Sequence, residues 1–205
     1  MFPLYDENRR RGKAPLMTIT LVLLNVFFFF LSYSNPDFFF NTFAFSFDNL
    51  FNGRFYTVFS SMFLHHDLLH LLSNVWFLWV FGENLEKRMG SWRFLLFYFL
   101  CGLAAVLTYA FTEDRNALLI GASGAIAGVM GAYLVLFPGN KIKAVVPLVF
   151  FWTTMSVPVF VFLLIWFLTQ VFSLGLSDMV AYSSHIGGFL FGAITIKRFV
   201  WRKRS

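Results

Sequence analysis
Gly121-Ala122-Ser123-Gly124-Ala125-Ile126-Ala127-Gly128-Val129-Met130-Gly131 is the stretch on which the fold turns. Its glycines recur at intervals of three, four and three residues, which on an α-helix draws one continuous stripe. A stripe of small residues lets the backbone of a neighbouring helix come close. This reads as the central, most enclosed helix of a bundle, with the run containing Gly188 and Gly192 packed against it by the same device.

The surroundings say what kind of bundle. Of 205 residues, 59% are hydrophobic and 13% charged, and 31 are phenylalanine. The mean hydropathy is +0.71. A soluble fold of this size cannot hide that much apolar surface, so the solvent for most of it is lipid. The fold class is an all-α membrane protein. Six segments have the length and composition to cross: Pro15 to Tyr33, Leu68 to Asn84, Trp92 to Thr112, Ala122 to Phe137, Val145 to Leu174 and Ala181 to Val200. The fifth is long enough to be tilted. Residues 1–14 form an N-terminal segment, 15–200 one six-span domain and 201–205 a basic tail. The first span lacks a small-x-small cleavage site and reads as retained.

The net charge of +6 follows topology rather than a polyanion site. Arg9, Arg10, Arg11 and Lys13 precede the first span. Lys87, Arg88 and Arg93 join the second to the third, and Lys141 and Lys143 the fourth to the fifth. Lys197, Arg198, Arg202, Lys203 and Arg204 close the chain, leaving only Arg54 and Arg115 for the other face. Cytoplasmic loops collect Lys and Arg, so both termini are expected in the cytoplasm. No nucleic-acid partner is implied. The phenylalanine-rich connection from Ser34 to Asp67 is too apolar to be solvated and too broken to span; it reads as an interfacial element. Cys101, the one cysteine, sits in an apolar run and cannot form an internal disulfide.

Polar side chains inside spans are costly and tend to serve a purpose. The second span carries His70 and Asn74, four residues apart and therefore on one face. The fourth carries Ser123 near its start, and the sixth carries His185 near its start. These three spans run in the same direction, so the four groups share one level of the membrane, one to two turns below the outer surface.

At these residues the chain resembles the rhomboid family. Gly121-Ala122-Ser123-Gly124 matches the family's Gly-x-Ser-Gly, and His70 to Asn74 its His-x-x-x-Asn, preceded by Phe63-Leu64-His65. Gly82, Glu86 and Gly90 match the family's turn motif, and His185-Ile186-Gly187-Gly188 its His-x-Gly-Gly. The resemblance covers the chain from about Gly53 to Gly192. It implies an intramembrane serine endopeptidase with a rhomboid-like core. Ser123 would be the nucleophile and His185 the general base. His70 and Asn74, with the Ser123 N–H, would form the oxyanion hole. Gly121, Gly124, His65, Glu86, Arg88, Gly188 and Gly192 would be structural: His65 holding the outer connection by hydrogen bonds, Glu86 paired with Arg88 or Arg93.

The substrates implied are single-pass membrane proteins with weak helices, and lipid is the other partner. The oligomeric state is left open. The location expected is a bacterial cytoplasmic membrane, in a minimal form of the family. No acid is in place to orient His185, Asp178 being seven residues upstream, so a dyad is expected. Where many family members carry an aromatic ring against which the histidine packs, this chain has Ala127. The fifth span is expected to gate entry, facing the second at Trp76 and Trp79.

Other classes fit less well. Ala125 stands where a nucleophile elbow needs glycine, and no strand precedes Ser123. His65, His66 and His70 lack the glutamate of a zinc-hydrolase motif, so no metal or cofactor is expected. A channel or transporter would show charges at the midplane or paired broken helices. A non-catalytic, client-binding relative is the remaining alternative, and such relatives usually lack the serine or the histidine.

Overall fold
The computed structural model describes residues 1–8, 10, 12–147, 151–176 and 180–200. Six helices of 14 residues or more make the bundle: α1 (Leu16–Tyr33), α5 (Leu68–Met89), α6 (Ser91–Thr112), α7 (Ser123–Leu136), α8 (Val159–Phe172) and α9 (Tyr182–Phe199). By length and composition α1 and α6 are apolar enough to cross a membrane, while α7 and α8 are shorter apolar helices. Fourteen residues rise about 21 Å, less than the hydrocarbon thickness of about 30 Å. Every residue from Gly124 to Tyr133 is buried, which puts α7 at the centre, with α9, α6, α5 and α8 around it.

The glycine stripes are the reason α7 and α9 meet so closely. A Cβ added at Gly188 would lie 2.1 Å from the Gly124 carbonyl oxygen, and one at Gly192 1.9 Å from that of Gly128. Any larger side chain at either position would force the two helices apart.

The fifth segment differs from the sequence reading. Its described residues before Val159 are not helical. Lys141–Pro147 and Trp152–Pro158 form strands β2 and β3, paired antiparallel from Lys141↔Pro158 to Pro147↔Trp152. Val145, Val146, Thr153, Thr154 and Val157 are β-branched and suit a pleated surface. Pro158 then takes the N-cap of α8, where its missing N–H costs nothing. The N-terminal segment is also more than a tail. Phe2–Asp6 is strand β1, antiparallel to β2, giving the sheet order β1-β2-β3. Trp76 is engaged by this strand: its Nε1 donates to the Pro3 carbonyl at 2.6 Å and its ring stacks on Phe2. Phe81 of α5 meets Phe162 of α8, 6.2 Å between ring centres.

Asp6 anchors the sheet to the bundle. Its buried carboxylate accepts hydrogen bonds from Tyr133, Asn84 and Asn140 side chains and from the Asn8 N–H. Burial holds its pKa above the ordinary carboxylate value, against the pull of those donors. Glu86 does similar work for α1. One carboxylate oxygen accepts from Met17 N–H and Ser91 Oγ, the other from Thr18 N–H and Oγ1. Glu86 thus caps the first turn of α1 from another helix, in place of the arginine pair expected for it. On this surface Lys87 forms an ion pair with Glu83. Arg88 is half-buried.

The connection after α1 folds into short helices, α2 (Pro36–Phe43), α3 (Phe47–Phe51) and α4 (Thr57–Ser60), followed by a 3-10 turn (Ser61–Phe63). Asn35 and Ser46 cap the first two through their side chains. Phe38, Phe51 and Phe55 stay exposed.

Candidate active site
The site starts with the extended segment that leads into α7. Phe45 and Leu119 exchange backbone hydrogen bonds at 3.1 and 2.8 Å, and Gly121 N–H donates to the Ser61 carbonyl at 2.9 Å. The connection between α1 and α5 therefore holds the approach to Ser123 in place. Gly121 then turns the chain with φ +107°, a conformation side chains rarely adopt. A Cβ there would meet His70 Nε2 at 2.7 Å. Glycine is thus required twice, for the turn and for the imidazole beside it.

Ser123 opens α7, so its N–H is one of the unpaired donors of a helix N-terminus. Its Oγ lies 2.8 Å from His185 Nε2 on α9. The other ring nitrogen of His185, Nδ1, lies 2.8 Å from Gln170 Oε1 on α8. Sequence reasoning missed Gln170. The available signal was an amide inside an otherwise apolar helix. Ala127 offers the histidine no ring, but Trp166 of α8 does: its ring centre is 6.0 Å from that of His185 at 35°. Asp178 lies outside the described residues.

His70 comes from α5, whose N-terminus is capped by Asp67 accepting from the His70 N–H at 2.8 Å. Its imidazole borders Gly121 and so stands next to Ser123. Asn74, one turn on, is buried, and its amide donates to the His70 carbonyl at 2.8 Å. One of its two amide hydrogens is left for another acceptor. His65 is buried and packs edge-on to His70, 5.0 Å between ring centres. The hydrogen bonds expected of it are not made: neither ring nitrogen has a partner among the described residues. Burial, with His70 beside it, depresses its pKa to about 3. His66 is exposed, stacking on Phe40 and lying 3.6 Å from the Asp67 carboxylate.

The arrangement thus unites an alcohol with a base, a histidine and an amide on the neighbouring helix, and a free helix N-terminus. A rhomboid domain model matches residues 52–202, and the chain belongs to the rhomboid family. It is 35% identical over 112 residues to YdcA of Bacillus subtilis, covering 51% of this chain and 56% of that protein. With the rhomboid protease GluP of Bacillus subtilis it shares 30% identity over 141 residues, 68% of this chain and 25% of GluP. The mitochondrial RHOMBOID-like protein 12 of Arabidopsis thaliana is 31% identical over 185 residues, 80% of this chain and 52% of that protein. The chain spans between a quarter and just over half the length of these relatives.

Proposed function
We propose that this chain is an intramembrane serine endopeptidase that cuts peptide bonds in or near the transmembrane segments of other proteins. The observation that carries it is the 2.8 Å contact between Ser123 Oγ and His185 Nε2, made between two helices that glycines hold together. Serine is a weak nucleophile until a neighbouring base takes its proton. His185 Nε2 accepts the Ser123 proton as Oγ attacks the substrate carbonyl. The resulting oxyanion is met by the Ser123 N–H, by His70 and by the spare Asn74 hydrogen, at the positive end of α7. His185 returns the proton to the leaving amine, the acyl-enzyme forms, and water repeats the sequence to release the acid.

In this reading six spans cross with both termini in the cytoplasm, a bacterial cytoplasmic membrane in particular, and substrates are single-pass proteins. A helix in lipid hides its carbonyls, so the substrate must open before attack. The route in is the α8 side. There Val159, Phe162 and Leu163 bury the inner end of α8, while Gln170 is the buried residue of its outer half. Wild type and Ser123→Ala co-expressed with tagged single-span substrates test the proposal. Cleavage by wild type alone supports it, and cleavage that persists in Ser123→Ala refutes the assignment. A client-binding relative would retain substrates without cutting them.

A further inference from the structure
We propose that Gln170 is a positioning residue that fixes the tautomer and orientation of His185, giving the site a neutral third member on α8. The inference rests on the hydrolase reading above and deepens it. The orientation of the amide follows from its neighbours. Thr169 Oγ1 donates its one hydrogen to the Trp166 carbonyl at 2.6 Å. The Gln170 group facing that pair, 3.2 Å from the Trp166 carbonyl and 3.1 Å from Thr169 Oγ1, must therefore donate to both. It is the nitrogen. The oxygen is left facing His185 Nδ1 at 2.8 Å. An amide oxygen only accepts, so Nδ1 must carry the ring hydrogen. Nε2 is then bare and aimed at Ser123 Oγ, in the form a general base needs. With the other tautomer Nε2–H would point at the serine and could not take its proton.

Trp166, one turn before Gln170, lies beside the same imidazole. One face of α8 therefore both packs and orients the base. Among the described residues no carboxylate bonds to His185. The ionisable groups that face it are His70 from α5 and Tyr182 on its own helix. Gln170 thus takes the place that a carboxylate fills in a triad, without putting a second charge in lipid.

The test compares wild type, Gln170→Met and Gln170→Glu in proteoliposomes. Met matches glutamine in length but accepts nothing useful, whereas Glu restores an acceptor oxygen at the same reach. Inactivation rates with a fluorophosphonate probe are read beside 15N spectra of histidine-labelled protein, which has only four histidines to resolve. The expected result is a His185 ring protonated at Nδ1 in wild type. Gln170→Met should lose that signature and react about ten-fold more slowly, the worth of one hydrogen bond. Gln170→Glu should stay within about three-fold of wild type, a margin smaller than one hydrogen bond. Wild-type His185 protonated at Nε2, or a Gln170→Met rate equal to wild type, overturns the proposal. Should Gln170→Met not fold, the wild-type tautomer and the Gln170→Glu rate decide. A folded wild type that never labels contradicts the hydrolase reading itself, while its 15N spectrum still judges Gln170.

Discussion

Gly188→Ala offers a measured wedge between the two helices that hold the site. The new methyl would start 2.1 Å from the Gly124 carbonyl oxygen, where contacts under 3.0 Å are essentially never found and 3.4 Å is ordinary. The obstacle is backbone, so no side chain can swing away. The helices must separate locally by roughly 1 Å, the gap between those distances. Gly124 is next to Ser123, and Gly188 is three residues after His185, so the wedge acts where serine meets histidine. A 2.8 Å bond lengthened by that amount passes beyond about 3.2 Å, the outer edge for a good hydrogen bond. Serine activation should then fall by about 10²- to 10⁴-fold, the usual share of general-base catalysis. Overpacking should also cost about 1–3 kcal/mol of stability. The assay is the rate of fluorophosphonate labelling at a temperature where circular dichroism shows the variant folded. Gly139→Ala, whose Cβ would meet nothing within 4 Å, is the control and should behave as wild type. Wild-type labelling by folded Gly188→Ala would refute the claim that backbone contact between α7 and α9 sets the serine–histidine distance.

Two further outcomes test the scaffold. Glu86→Ala strands the Met17 and Thr18 N–H groups and the Ser91 hydroxyl, and should cost about 1–3 kcal/mol, seen as a lower melting temperature with Glu86→Gln losing less. For His65, folding keeps the ring neutral down to about pH 3, while the unfolded chain takes up a proton below about 6.5. Its contribution to stability is therefore intact above pH 6.5 and shrinks as pH falls from there towards 3, by about 1.4 kcal/mol per unit. His65→Phe should remove that part of the slope in melts taken between pH 6.5 and 4.

The bundle was legible because lipid leaves strong marks: long apolar runs, basic residues gathered at alternate ends, and glycines at helical spacing. Ser123, His185, His70 and Asn74 stood out as polar groups where polarity is expensive. The sheet was hidden for the same reason. Residues 145–174 are mostly apolar and carry no charge, and such a run does not distinguish a buried strand from a helix. Pro147 and Pro158 marked its boundaries, because a proline inside a helix removes a hydrogen bond and clashes with the preceding turn. Gln170 escaped because its partner is 15 residues away on another helix, so no periodicity links them. Glu86 was assigned Arg88 or Arg93, cations close by in sequence, yet its partners are the first N–H groups of α1, almost 70 residues earlier. Asp6 likewise meets Asn84, Tyr133 and Asn140 only once the N-terminal strand has paired with β2.

Mass spectrometry of the fluorophosphonate-treated chain bears most directly on the central claim, an alcohol activated by an imidazole from a neighbouring helix. The account predicts a single adduct on Ser123 that is lost in His185→Ala while that variant stays folded. An adduct on any other serine, or one on Ser123 that forms as fast without the imidazole, would contradict it.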